Sequence, residues 1–130
     1  MIVLEPLYDI LHSLLLCCHN NYKIDSYPVV HGKQKNALGY IINNKLGITG
    51  DASLCESVEK IFKDSKLVIC DTSLLKGNNS HLGIDNIKYL INKYNTNVIA
   101  THLKDDTRKT LLEDDSTYIK VVEDFFEINI

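Results

Sequence analysis

Three apolar runs, each closing on a polar residue, constrain this chain most. "KLGITG" (45–50) leads into Asp51, "KLVICD" (66–71) ends on Asp71, and "TNVIATH" (96–102) ends on His102. Apolar runs this short, bounded by turn residues, read as buried strands. The stretches between them have helical spacing: in residues 83–94, Ile84, Ile87, Leu90 and Ile91 share one face. Strands alternating with helices predict an α/β layered fold.

The remaining segments fit around this frame. Leu4, Leu7, Leu11, Leu14 and Cys18 form a helical stripe over residues 4–19, ended by His19-Asn20-Asn21. Strands are expected over residues 27–31 and 37–43, and Asn43-Asn44 predicts a tight hairpin turn into the strand at 45–50. Residues 72–81 read as a polar loop, "DDTRKTLLEDD" as a short helix and "YIKVVEDFFEINI" as one or two closing strands. Ser53 and Glu56 have capping-box spacing, which predicts a helix over residues 53–64 and leaves Asp51 outside it, at the lip of the strand.

The chain has 130 residues, 45% of them hydrophobic, with a formal charge of −3. This suits one domain over residues 1–130, with an N-terminal helix in 1–22 and the α/β unit in 27–130. A chain of this length buries roughly two-thirds of its unfolded surface. Near-balanced charge argues against a duplex-DNA binder, although a small positive cleft on such a chain is compatible with RNA. Cys17, Cys18, Cys55 and Cys70 have no C-x-x-C spacing, so neither a disulfide framework nor a thiolate metal site is expected. A reducing, cytoplasmic setting fits best. Glu5, Pro6 and Asp9 do not suit a signal peptide, and the apolar run at 14–18 is too short to span a bilayer.

Chemistry-bearing residues gather where strands stop. His31 closes "YPVVH", Asp51 follows "GITG", Asp71 closes "VICD", His102 closes "VIATH", and His81 ends the loop before a helix. Carboxyl ends of strands are where open α/β sheets build their sites, and imidazole and carboxylate are standard zinc ligands. Each residue also has a plainer role: a hydrogen-bonded strand-end histidine, an acid at a helix N-terminus for Asp51, a turn opener for Asp71-Thr72-Ser73. His12 and His19 read as surface residues.

In order, "VVHGKQKNALGYII", "ITGDASLCESVEKI", "LVICDTSLL", "SHLGIDNIKYL" and "VIATHL" resemble the C-terminal half of a metallo-β-lactamase-fold hydrolase. The branch they resemble most holds the tRNA 3′-end-processing ribonucleases and related phosphodiesterases, and the likeness spans about residues 27 to 128. It implies half of an αββα sandwich, a mixed sheet with helices packed on one face. It also implies a centre for two divalent ions, zinc or another such as manganese. His31, Asp51 and His102 would be metal ligands, with Asp51 bridging. His81 and Asp51 would serve catalysis, His81 at the leaving group, and Asp71 would be a supporting residue. Paired ions activate a bridging water and steady the oxygens of an in-line displacement.

The family's H-x-H-x-D-H signature does not occur in these 130 residues, so the N-terminal half of the fold is missing from them. The resemblance implies phosphodiester or other ester hydrolysis, on RNA or a cyclic nucleotide, that depends on a complementary half-domain or a homodimer. The alternative is a degenerate module whose sheet serves protein contact. A receiver-like domain using Asp71 and Thr101 ranks last, because the chain opens with a helix. Half a sandwich also predicts one sheet face, around Tyr40, left without cover.

Overall fold

The computed structural model describes residues 2–3, 21–115 and 118–130. The helix expected over 4–19, with His12 and His19, lies outside the described residues. Strands β2 (Ile24–Pro28), β3 (Leu38–Ile42), β4 (Leu46–Ile48), β5 (Leu67–Asp71), β6 (Asn97–Thr101) and β7 (Ile119–Val121) form one six-stranded sheet in that spatial order. β2, β3 and β4 pair antiparallel, whereas β4 through β7 run parallel. A separate two-stranded sheet joins β1 (Ile2–Val3) to β8 (Glu127–Ile128). The mixed sheet, with no reversal of strand order, rules out the receiver-like arrangement.

The β3–β4 hairpin turns at Asn43 and Asn44, both at φ 53°, as the sequence predicts. Positive φ at both central residues is the turn whose twist matches the flanking strands. The parallel strands are joined by α1 (Glu56–Asp64), α2 (Ile84–Tyr94) and α3 (Asp105–Glu113). Steady progress across the sheet through right-handed crossovers puts all three helices on one face. Val58, Ile61 and Phe62 of α1, Ile84, Ile87, Leu90 and Ile91 of α2, and Leu111 of α3 bury there against Ile41, Val68, Cys70, Val98 and Ala100. Gly39 and Gly47 form the seat of Ile61, since a Cβ on either would lie within 2.6 Å of that side chain. α2 ends on Asn95 in the left-handed conformation, its N–H bonded to the Ile91 carbonyl.

The second face is not bare, which corrects the expectation above. Ile42, Leu46, Ile48, Leu67, Ile69 and Ile99 are all buried, and Val122, Phe126 and Ile128 pack against them from the closing segment. A second correction concerns α1. It begins at Glu56 behind Cys55, and no side chain caps it. Ser53 is otherwise engaged: its N–H and its hydroxyl both donate to the Val30 carbonyl, at 2.7 and 3.1 Å. That tertiary tie keeps residues 51–54 out of the helix and delays its start.

β2 also starts earlier than expected and stops at Pro28, leaving His31 in a tight turn beyond it. Among the described residues, no helix is long and apolar enough to cross a membrane.

Candidate metal centre

Three parallel strands end side by side, and the chain bends sharply after two of them. Gly50 stands at φ 60° just after β4, and His102 at φ 56° just after β6. A left-handed histidine costs backbone energy, and such residues persist where the surrounding structure holds them. These bends bring Asp51 and His102 together, with His102 Nδ1 2.8 Å from Asp51 Oδ1.

Asp71, the last residue of β5, sits between them with only 1% of its side chain exposed. Buried carboxylates must be hydrogen-bonded, and this one is. Its Oδ1 accepts the Ser73 N–H at 3.1 Å and also the Ser73 hydroxyl. Its Oδ2 accepts the Ala52 N–H at 3.3 Å and faces His81 Nδ1 at 2.7 Å. The Asx bond expected of Asp71-Thr72-Ser73 is therefore present, and the same carboxylate reaches across to His81. Thr49 and Thr107 brace this core of polar groups. The Thr49 hydroxyl accepts the Asp71 N–H at 3.0 Å, and the Thr107 hydroxyl donates to the Ser73 carbonyl at 3.0 Å.

Three imidazoles stand in a row. The His31 and His81 ring centres are 4.9 Å apart, and those of His81 and His102 are 5.3 Å apart, both edge to face. Each ring has its Nδ1 held by an oxygen: the Ser80 carbonyl for His31, Asp71 for His81 and Asp51 for His102. A carbonyl or carboxylate partner assigns the hydrogen to Nδ1 and leaves Nε2 with its lone pair. Histidines prepared for a metal are held in this way.

One donor atom from each of Asp51, Asp71, His81 and His102 lies within 4.8 Å of the other three. Two carboxylates and two imidazoles in that space suit a divalent cation. Asp51 spends one oxygen on His102 and keeps the other, whereas the lone-pair positions of Asp71 are already taken. His31 adjoins the group through His81 and is not one of the four.

The order of motifs thus brings Asp51, His81 and His102 together around Asp71, and sets His31 beside His81, outside that group. Sequence reasoning kept Asp71 in a supporting role and missed Thr49, Ser73, Ser80 and Thr107. The one available signal was Ser73 at the Asx-turn position; the rest are set by tertiary contacts. Cys70, beside Asp71, faces the helices, and burial pushes its thiol well above the usual range, which leaves it unreactive.

No family model matches the chain, and no curated protein matches it. Solved structures do match, 23 chains in all. A diphosphatase of the PhnP family superposes with a TM-score of 0.69 at 18% identity, over 84% of this chain and 44% of that one. The metallo-β-lactamase fold protein YhfI from Bacillus subtilis superposes with a TM-score of 0.62 at 15% identity. That match covers 82% of this chain and 49% of YhfI. The fold is that of a partial metallo-β-lactamase domain. The chain spans about half the length of these structures. Likeness at such identities establishes the metallo-β-lactamase fold alone, so the chemistry must be argued from this chain's own side chains.

Proposed function

We propose that this half-domain carries one side of a metal-dependent phosphodiesterase centre. The observation that carries the reading is the meeting of Asp51, Asp71, His81 and His102 within 4.8 Å, at the strand ends of a metallo-β-lactamase-type sheet. One structural neighbour is a diphosphatase, which supports a phosphate ester or anhydride as substrate. Asp51, His102 and His31 are assigned to hold zinc or another divalent ion such as manganese, Asp51 through the oxygen that His102 leaves free. When bound, the metal supplies an activated water and charge stabilisation for the phosphoryl oxygens.

The protein's own groups supply the rest. Asp71 fixes the tautomer and orientation of His81, whose Nε2 is left to face the scissile phosphate. With its Nδ1–H held by Asp71, His81 is assigned to pass a proton through Nε2 to the leaving oxygen. Asp71 is buried while the His81 ring stays partly exposed, so the carboxylate holds the ring from beneath and leaves its other edge open to substrate. The chain spans 44% and 49% of the two neighbours, so on this reading the rest of the centre is supplied by polypeptide outside these 130 residues. That polypeptide is a complementary half-domain or another copy. Without it, the chain reads as a non-catalytic interaction module.

Mass spectrometry under native conditions, with hydrolysis of bis-(p-nitrophenyl) phosphate, tests this reading. Metal retention lost in Asp51→Ala and His102→Ala, with hydrolysis lost in His81→Ala while metal stays bound, is the expected pattern. A wild-type chain that retains no zinc or manganese overturns the metal assignment. A stable partner on pull-down would then favour the interaction module.

A further inference from the structure

A cleft of about 530 Å³ opens beside the centre, lined by His31, Gly32, Lys33, Gln34, Lys35 and Ser80. It lies between two loops that are fixed to each other. The Gly32 N–H donates to the Asn79 carbonyl at 2.9 Å, and His31 Nδ1 donates to the Ser80 carbonyl at 2.8 Å. Gly32 adopts φ 52°, and a Cβ there would stand 2.7 Å from Ser80 Oγ, so the close approach requires glycine. The Gln34 N–H returns to the His31 carbonyl at 2.9 Å, making a tight turn that projects Lys33 and Lys35.

The lining holds two lysines and no carboxylate. Among the described residues Lys33 and Lys35 form no ion pair, so neither charge is offset by a neighbouring carboxylate. A positive cleft on a chain of charge −3 is a local device rather than a general surface property. Its inner wall is His31, whose ring packs on His81. The scissile phosphate is assigned to His81 and the metal ligands, so an anion held by Lys33 and Lys35 would lie next to it, across the His31 ring they share as a wall.

We infer that Lys33 and Lys35 hold a second phosphate of the substrate, next to the one that is cleaved. This rests on the phosphodiesterase reading above and narrows it to substrates with at least two phosphates, an oligonucleotide or a diphosphate. Lysine binds phosphate as a point charge, so the contact is sensitive to salt.

Calorimetry with uncleavable probes tests it: a phosphorothioate-linked dinucleotide with and without a 5′-phosphate, and methylene bisphosphonate beside methylphosphonate. Each titration is run on the chain with and without zinc, and zinc content is measured on the same samples. The second phosphate is expected to tighten binding on the order of tenfold at low salt. In Lys33→Gln/Lys35→Gln that gain is expected to vanish, while the one-phosphate probes and zinc uptake stay at wild-type values. A gain with the dinucleotide assigns nucleotide spacing, and a gain with the bisphosphonate assigns a diphosphate. No gain in the wild type, or a gain that survives in the double variant, overturns the inference. A wild type without zinc sinks the metal reading alone, because the zinc-free titrations still decide the role of the lysines.

Discussion

Replacing Asp71 by Asn changes little in volume and tests how far the buried carboxylate organises the site. Oδ1 takes the Ser73 N–H and hydroxyl, and Oδ2 takes the Ala52 N–H and His81 Nδ1. An amide keeps one acceptor oxygen and turns the other position into a donor. If the oxygen stays on Ser73, the new NH₂ points at the Ala52 N–H and at the His81 ring hydrogen. A buried N–H left without an acceptor costs about 1–3 kcal/mol, and the loss of the charge-assisted bond to His81 adds about 1. The expected destabilisation is therefore about 2–4 kcal/mol. With Ala52 and Asp71 both buried, water has little access to repair the loss. Urea denaturation of the metal-free chain should show a lower midpoint with an unchanged slope. A midpoint shift worth less than about 0.5 kcal/mol would refute the claim that Asp71 anchors the Ala52 strand-end and His81 together.

Further outcomes follow from other parts of the molecule. Gly47→Ala places a Cβ 2.6 Å from Ile61 Cγ2 and 2.7 Å from Ser65 Oγ, and is expected to cost about 1–3 kcal/mol by the same measurement. His102→Gly relieves the left-handed backbone at φ 56°. It should leave the metal-free chain as stable as wild type or more so, by up to about 1 kcal/mol, while metal uptake falls. Hydrogen bonds from Lys93 first, then Tyr94, hold the Glu59 carboxyl below its usual range. A lowered folded-state value gives stability that is present above the ordinary glutamate pKa and fades as pH falls through the folded one. Urea midpoints compared at neutral pH and below about pH 4.3 should therefore drop less in Glu59→Gln than in wild type.

The parallel half of the sheet was legible because strands buried on both faces must be apolar throughout, as "KLVICD" is. The hairpin was legible because only a few residues tolerate positive φ twice in succession, and Asn43-Asn44 are such residues. Misreadings arose where distant residues compete for local groups. Ser53 looks like a helix cap, but the Val30 carbonyl claims it from 23 residues away. Asp71 looks like a turn opener, which it is. That it also faces His81 depends on the loop between them folding back, and no spacing rule encodes that. The cover of the second sheet face by Val122, Phe126 and Ile128 was equally hidden, since "VVEDFFEINI" has no period that says which layer it joins.

Every strand of the large sheet, from β2 to β7, lies beside the one made just before it. Nothing has to be threaded between partners already joined, so the sheet can lengthen from one edge as the polypeptide emerges. Asp51 and Asp71 are then in place before β6 delivers His102 to the pocket's rim. The donor set is completed by a late step, and a ribosome-bound intermediate lacking the last third of the polypeptide would hold the two acids without their closing imidazole.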